Sequence, residues 1–320
     1  MKRLISLAVS FLILALIYWQ IDFESLLEVL RNCNIGWLII SLGMIAPLIM
    51  ITAWRLQELM PNRRGLGFLE ANRLILASSV LNMILPSKMG DIAKAYFMRQ
   101  RGHLEGALAL SLVVFEKSCD LLSLLLWCVF GLIFYPQPER PWWLWVLGGI
   151  VCLGLVTGIL ILASQKVAQA FFILIKKVLP KKLRPKVVKL QVSWGEMHDY
   201  FWRDRAQLTK IVLTSIILWF LHLLQIWLFI LALNASTPFL ANLALSPLAI
   251  LAGLLPLTFG GVGTRDAALI VFYQPYLSAP VAAALGILCT SRYLLPALGG
   301  LPFLERYLRS VKDFNSFETK

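Results

Sequence analysis

The sequence predicts an all-α integral membrane protein with about six full crossings and two re-entrant helical hairpins. These eight apolar regions form an inverted repeat with both termini in the cytoplasm. The prediction rests on composition, on the spacing of the apolar runs and on the location of the basic residues. Of the 320 residues, 59% are hydrophobic and 15% are charged, whereas about 25% of residues are charged in soluble domains. This composition indicates a chain that lies largely within a bilayer.

Six apolar runs are long enough to cross a hydrocarbon core of about 30 Å, which takes roughly 20 residues. They occupy residues 4–20, 35–54, 106–134, 143–163, 208–233 and 280–298. The first run follows a basic start and ends in Tyr18 and Trp19. This ending is typical of an interfacial anchor rather than of a signal-peptide cleavage site. We therefore predict a retained first membrane helix.

Two further apolar regions, 66–98 and 241–273, are interrupted near their middle. Each has 33 residues, too few for two crossings and a turn. The breaks contain prolines and glycines, which interrupt helices: Pro86, Gly90, Pro256, Gly260, Gly261 and Gly263. We predict a re-entrant helical hairpin in each region, since such hairpins occur at membrane depth where protein or a wet cavity surrounds them.

The basic residues predict the orientation. Of the 30 Lys and Arg, 25 fall on one side of the six predicted crossings, with Arg55 and Lys94 among them, and two fall on the other. By the positive-inside rule the side that carries most of the Lys and Arg is cytoplasmic. The segment 164–207 holds the largest basic cluster, and we predict a cytoplasmic segment attracted to anionic headgroups. Because the positive charge follows topology, nucleic acid is not an expected partner.

The two breaks are related in sequence. LPSKMG at 85–90 recurs as LPLTFG at 255–260, an offset of 170 residues. Helix, hairpin and helix occur at 35–134 and again, with opposite polarity, at 208–298. This is the inverted-repeat arrangement of alternating-access transporters. We predict one polytopic membrane domain over residues 1–320, built from these two repeats.

Charged residues inside apolar segments cost about 2.5–3.5 kcal/mol each on insertion scales and are therefore candidates for function. Glu116 and Asp120 stand four residues apart and share a helix face, whereas Lys117 points elsewhere. Two carboxylates on one face indicate a surface that binds a cation, a proton or a hydroxyl. The alternative is that they form ion pairs that fix helix packing.

Both breaks also carry charges. Lys88, Asp91 and Lys94 surround the first break, either as part of a gate or as a helix cap with an interfacial lysine. Arg265 and Asp266 follow the glycines of the second break, where free N–H groups at a helix start favour an anion.

A further cation, Arg292, lies in the neighbouring predicted crossing. Arg265 and Arg292 would either bind a phosphate group or neutralise Glu116 and Asp120. The five cysteines include no CxxC spacing, and we predict neither a metal site nor a cofactor.

Four stretches occur in order along the chain: LPSKMGDIAKAYFM, FEKSCD, GGVGTRDAAL and SRYLLPALGG. Together they resemble the lysylphosphatidylglycerol synthase transmembrane (flippase-like) family. The positions that match the family's patterns are Pro86, Gly90, Asp91, Lys94, Glu116, Lys117, Asp120, Gly260, Gly261, Gly263, Arg265 and Asp266. Asp266 stands where the family usually has glutamate.

The resemblance implies translocation of an anionic lipid or a lipid-linked intermediate between the leaflets of a bacterial or archaeal cytoplasmic membrane. The partners it implies are membrane lipids and enzymes of envelope lipid synthesis. Without a soluble aminoacyl-transfer domain the chain is not expected to be an enzyme, and no catalytic residue is predicted. Two alternatives remain open: a polyprenyl-phosphate glycosyl- or phosphotransferase, and a scaffold in envelope lipid synthesis that transports nothing.

Overall fold

The computed structural model describes residues 22–61, 65–84, 90–100, 104, 106–135, 142–180, 184–254, 258 and 261–318, without the side chains of 100, 106, 107, 143, 186 and 309–318. Within these ranges the regular elements are helices and no strand occurs, which confirms the all-α prediction. The predicted first crossing, 4–20, lies outside the described residues, as do Pro86, Lys88, Pro256 and Gly260.

The helices follow one another along the chain with short connections. Their bounds are α1 Phe23–Arg31, α2 Ile35–Gly43, α3 Ile45–Leu59, α4 Phe68–Ile84, α5 Gly90–Gln100, α6 Gly106–Ile133, α7 Trp142–Ala163, α8 Gln165–Val178, α9 Arg184–Arg203, α10 Arg205–Ala232, α11 Phe239–Gly253, α12 Thr264–Tyr273 and α13 Ala279–Glu318.

Four helical stretches in the described part of the chain are long and apolar enough to cross a membrane. They are Ile35–Leu59, Leu144–Ala163, Arg205–Ala232 and Ala279–Leu308. The chain is therefore a multi-pass membrane protein. The 28-residue helix α6 extends about 42 Å at 1.5 Å per residue and carries the charged residues Glu116, Lys117 and Asp120. The number of crossings and the side on which each terminus lies stay predictions.

Each interrupted apolar region forms two short helices, one before its break and one after it. Helices α4 and α5 pack against each other, and so do α11 and α12. With 17, 11, 15 and 10 residues, all four are too short to span about 30 Å. Helix α4 also packs along α13, where Gly300 fits against the backbone carbonyl of Leu76. Small residues at such positions let helices approach closely.

The basic segment forms two helices that pack against the bundle. Ser164 caps α8 by accepting a hydrogen bond from the backbone N–H of Val167 (3.5 Å). Helix α9 packs on α6, where the rings of Phe201 and Phe115 are stacked with centroids 4.4 Å apart. The basic segment is therefore joined directly to the helix that carries the two central carboxylates.

Candidate functional site

A cavity of about 270 Å³ lies between α3, α4, α5, α6, α10 and α13. It is lined by an unusual concentration of charge for the interior of a membrane protein. The charged lining residues are Arg55, Asp91, Lys94, Glu116, Lys117, Asp120 and Arg292. Six of these seven are residues that the sequence predicted as a site. We call this space the charged cavity.

Arg55, on α3, is the centre of the ion pairs around the charged cavity. Its Nη2 donates to Glu116 Oε1 (2.9 Å) and to Asp120 Oδ2 (3.2 Å), and its Nη1 donates to Asp120 Oδ1. Nη1 also donates to Ser215 Oγ on α10 (2.7 Å). The side chain is only 2% exposed. One guanidinium thus joins α3, α6 and α10 through charge-assisted hydrogen bonds.

Lys94 supplies the second cation to the same carboxylate. Its Nζ donates to Glu116 Oε2, and both residues are almost fully buried. Each oxygen of Glu116 therefore has its own cation, one from α3 and one from α5. Removing one member of such a buried pair leaves an uncompensated charge in a medium of low dielectric constant.

Lys117 lies at the more open edge of the charged cavity. Its Nζ is 3.3 Å from Asp91 Oδ2 and 3.4 Å from Asp120 Oδ2, and its side chain is 44% exposed. The pair with Asp91 connects α6 to the start of α5. Gly90 fixes that start, because a Cβ there would collide with the Ser78 carbonyl on α4.

Arg292 differs from the other cations that line the charged cavity. Within the described residues Arg55, Lys94 and Lys117 pair with carboxylates, but no ion pair joins Arg292 to a carboxylate. Its Nη2 donates to Tyr293 Oη (2.8 Å) and its Nη1 donates to the His222 carbonyl (3.5 Å), whereas its Nε has no hydrogen-bond partner in the part of the chain that the structure describes. Its guanidinium also lies over the Tyr293 ring, 5.0 Å from the centroid. Arg292 is 5% exposed, so its formal charge is buried with a cation–π contact but without a carboxylate from these residues.

Arg265 and Asp266 pair with each other beside the charged cavity. Arg265 donates to Asp266 Oδ1 from Nε (3.0 Å) and Nη2 (2.7 Å), and Nη2 also donates to Thr290 Oγ1 (2.7 Å), which lines the cavity. Asp266 Oδ2 accepts from the backbone N–H of Gly263 (3.0 Å). Gly261 and Gly263 have φ of 80° and 100°, which favours glycine at both positions. The pair therefore fixes the start of α12 against Gly263 and, through Arg265, against α13.

Two sequence-based interpretations are wrong. The loop-charge count placed Arg55 and Lys94 among cytoplasmic loop charges, but both are buried within helices. Arg265 and Arg292 were also candidates to neutralise Glu116 and Asp120, but within the described residues Arg55, Lys94 and Lys117 do so.

Arg55 was not among the predicted site residues because the predicted apolar run ended at residue 54. The helix continues to Leu59, and buried Leu56 and Leu59 follow the arginine on the same segment. Apolar residues after a charged one were the signal that the helix had not yet reached the surface. Ser215 and Thr290, which accept from Arg55 and Arg265, carried no comparable signal.

The fold and the cavity define a class: a multi-pass helical membrane protein with a charged cavity enclosed by its helices. The family model of the lysylphosphatidylglycerol synthase TM region matches residues 3–300, and the chain belongs to that family. It is also similar to the UPF0104 membrane protein MJ1595 of Methanocaldococcus jannaschii. The two are 23% identical over 313 residues, and the match covers 93% of each chain.

Proposed function

We propose that this protein translocates an anionic lipid, or a lipid-linked intermediate, between the leaflets of the cytoplasmic membrane. The headgroup passes through the charged cavity while the acyl or prenyl chains stay in the bilayer. The family supports a membrane lipid-related role for the chain. Asp91, just after the first break, and Val262, near the end of the second, line the same cavity. This supports two hairpins that enter from opposite faces and meet at one headgroup path, as in inverted-repeat transporters.

The uncompensated guanidinium of Arg292 is the observation that carries this proposal. The three other cations that line the charged cavity are opposed by Asp91, Glu116 and Asp120. Among the described residues the cavity therefore has one formal positive charge more than its carboxylates neutralise. A phosphate group would supply the missing negative charge and an acceptor for the Nε of Arg292.

In this proposal the ion pairs have a structural part and a mobile part. Arg55, Lys94 and Glu116 are almost fully buried and hold α3, α5 and α6 together. Lys117 is more exposed and its contacts are longer. Lys117 therefore releases Asp91 and pairs with the passing headgroup. This exchange couples translocation to movement of the first hairpin. Arg265, beside the charged cavity, is a further cation for the headgroup, as is Lys88, which lies outside the described residues.

The proposed arrangement in the membrane has six crossings with both termini in the cytoplasm, and the basic helices α8 and α9 lie on the cytoplasmic surface. We propose no catalytic activity. Both carboxylates of α6 have cationic partners, which supports a role in helix organisation over direct chemistry. The expected partners are anionic lipids and the enzymes that make them.

Leaflet exchange in reconstituted vesicles tests this function. The full chain is reconstituted with fluorescent phosphatidylglycerol or with a labelled polyprenyl phosphate, and the label in the outer leaflet is quenched over time. Wild type is expected to accelerate exchange of one of these lipids, and Arg292→Gln to lose most of that acceleration. Arg306→Gln, at an exposed position of the same helix, is the matched control and keeps wild-type rates.

Two further readouts separate the possible outcomes. The Arg292→Gln protein is expected to unfold at or above the wild-type temperature, because an uncompensated buried charge has been removed. No acceleration for either lipid class would overturn the proposal. Transfer of a sugar or phosphate group from a donor to polyprenyl phosphate, lost in Glu116→Gln, would support an enzyme instead.

A further inference from the structure

A second cavity lies on the other side of α6. It has a volume of about 280 Å³, and no residue lines both it and the charged cavity. Its lining is almost entirely apolar and comes from the three long helices α6, α7 and α10 and from Trp202 at the end of α9. We call it the apolar groove.

The dimensions of the apolar groove match one leaflet of a bilayer. From Leu208 to Ile216 it extends about 12 Å along α10, and from Phe115 to Leu126 about 16 Å along α6, at 1.5 Å per residue. Half of a 30 Å hydrocarbon core is about 15 Å. The exposed side chains of Leu126 and Ile159 border the groove, so it opens sideways toward lipid.

One end of the apolar groove carries exposed basic residues beside Asp204, the N-cap of α10. Ala163, Trp202 and Leu208 lie where α7 and α9 end and α10 begins. Arg205 is exposed and lies three residues before Leu208 and seven before Val212, on the same face of α10. Lys166 is exposed three residues after Ala163. A basic group therefore stands at the headgroup end of a groove with the length of an acyl chain.

We propose that the apolar groove is a binding site for one resident anionic glycerophospholipid, with an acyl chain in the groove and its phosphate at Arg205 and Lys166. An empty groove in the bilayer would forfeit dispersion contacts along three helices, and a chain from the surrounding lipid restores them. Each basic residue near a membrane surface raises the affinity for an anionic lipid about fivefold. This lipid stays bound and joins α6, α7 and α10, whereas the proposed cargo passes through the charged cavity.

Lipid retention and thermal unfolding of the full-length protein in detergent test this site. Phosphatidylglycerol and phosphatidylcholine with the same acyl chains are titrated, and retained lipid is counted by native mass spectrometry. Wild type is expected to keep one phosphatidylglycerol and to unfold at a higher temperature with it. Val212→Trp fills the groove and is expected to lose both effects. Leu213→Trp, one position away on the exposed face of α10, is the matched control and keeps them.

A charge variant tests the headgroup end separately. Arg205→Gln is expected to weaken phosphatidylglycerol binding about fivefold and to leave phosphatidylcholine binding unchanged. Lys210→Gln, also exposed but on another face of the same helix, is expected to behave as wild type. Equal retention of the two lipids by wild type, or equal effects of the two charge variants, would overturn the proposal. Neither result bears on leaflet exchange, because the two cavities share no residue.

Discussion

The two breaks carry similar residues but use them differently. After the first break Asp91 and Lys94 reach to α6, where Lys117 and Glu116 are their partners. After the second break Arg265 pairs with Asp266, its own neighbour in sequence. The first set of charges therefore ties separate helices together through ion pairs around the charged cavity, whereas the ion pair of the second set lies within α12 and Arg265 reaches α13 through hydrogen bonds to neutral groups. An acid and a base beside a break do not by themselves define a binding site.

The largest expected effect is a loss in the free energy of unfolding when the ion pairs at the first break are removed. Glu116→Gln leaves Arg55 and Lys94 buried without their shared carboxylate, and breaking a buried pair of this kind costs about 3–5 kcal/mol. Chemical unfolding of the purified protein measures the loss in the free energy of unfolding. Glu196→Gln, at an exposed position of α9, is the control. Equal free energies for Glu116→Gln and wild type would show that the ion pairs at the first break do not hold the helices together.

The corresponding change at the second break is expected to cost less. Asp266→Asn weakens the bonds from Arg265 and from the N–H of Gly263, and a hydrogen bond to a charged group contributes about 1.5–3 kcal/mol. Arg265 keeps its bonds to Thr290 and to the Gly286 carbonyl. The same unfolding experiment measures this loss. A cost greater than that of Glu116→Gln would reverse the comparison.

The smallest effect is expected at the edge of the charged cavity. A double-mutant cycle with Asp91→Asn and Lys117→Gln is expected to give a coupling free energy below about 1 kcal/mol, because Lys117 is 44% exposed and its pairs are screened. Unfolding of the two single variants and of the double variant gives the coupling. A coupling of several kcal/mol would show that Lys117 is a fixed structural residue rather than the mobile one.

Composition and apolar periodicity can be read from short stretches of sequence, and the broad features of the fold that follow from them were predicted correctly. The all-α membrane fold came from such patterns, whereas the family came from the resemblance of four short motifs. Six of the seven charged residues that line the charged cavity were also chosen in advance, because charges in apolar segments are costly. Arg55 was missed because its burial depends on contacts with α6 and α10, helices 61 to 160 residues away in sequence.

Partner choice was the feature that the sequence could not predict. Several cations could have formed the ion pairs with Glu116. No local sequence pattern favoured Arg55 and Lys94 over Arg265 and Arg292 as its partners. Tertiary packing decides the choice: α5 packs on α6, and α3 and α6 both pack on α10, which brings Arg55 and Lys94 to Glu116. The same packing leaves Arg292 without a carboxylate within the described residues, which is the feature on which the proposed function depends.

A density map of the full-length protein in native lipid tests the central claim most directly. We expect density for a phosphate group in the charged cavity, within hydrogen-bonding distance of the Arg292 guanidinium, and for a lipid chain that leaves the cavity toward the bilayer. A map that resolves lipid around the protein but shows only water at Arg292 would contradict the proposed function. So would a map in which a carboxylate of the chain itself pairs with Arg292.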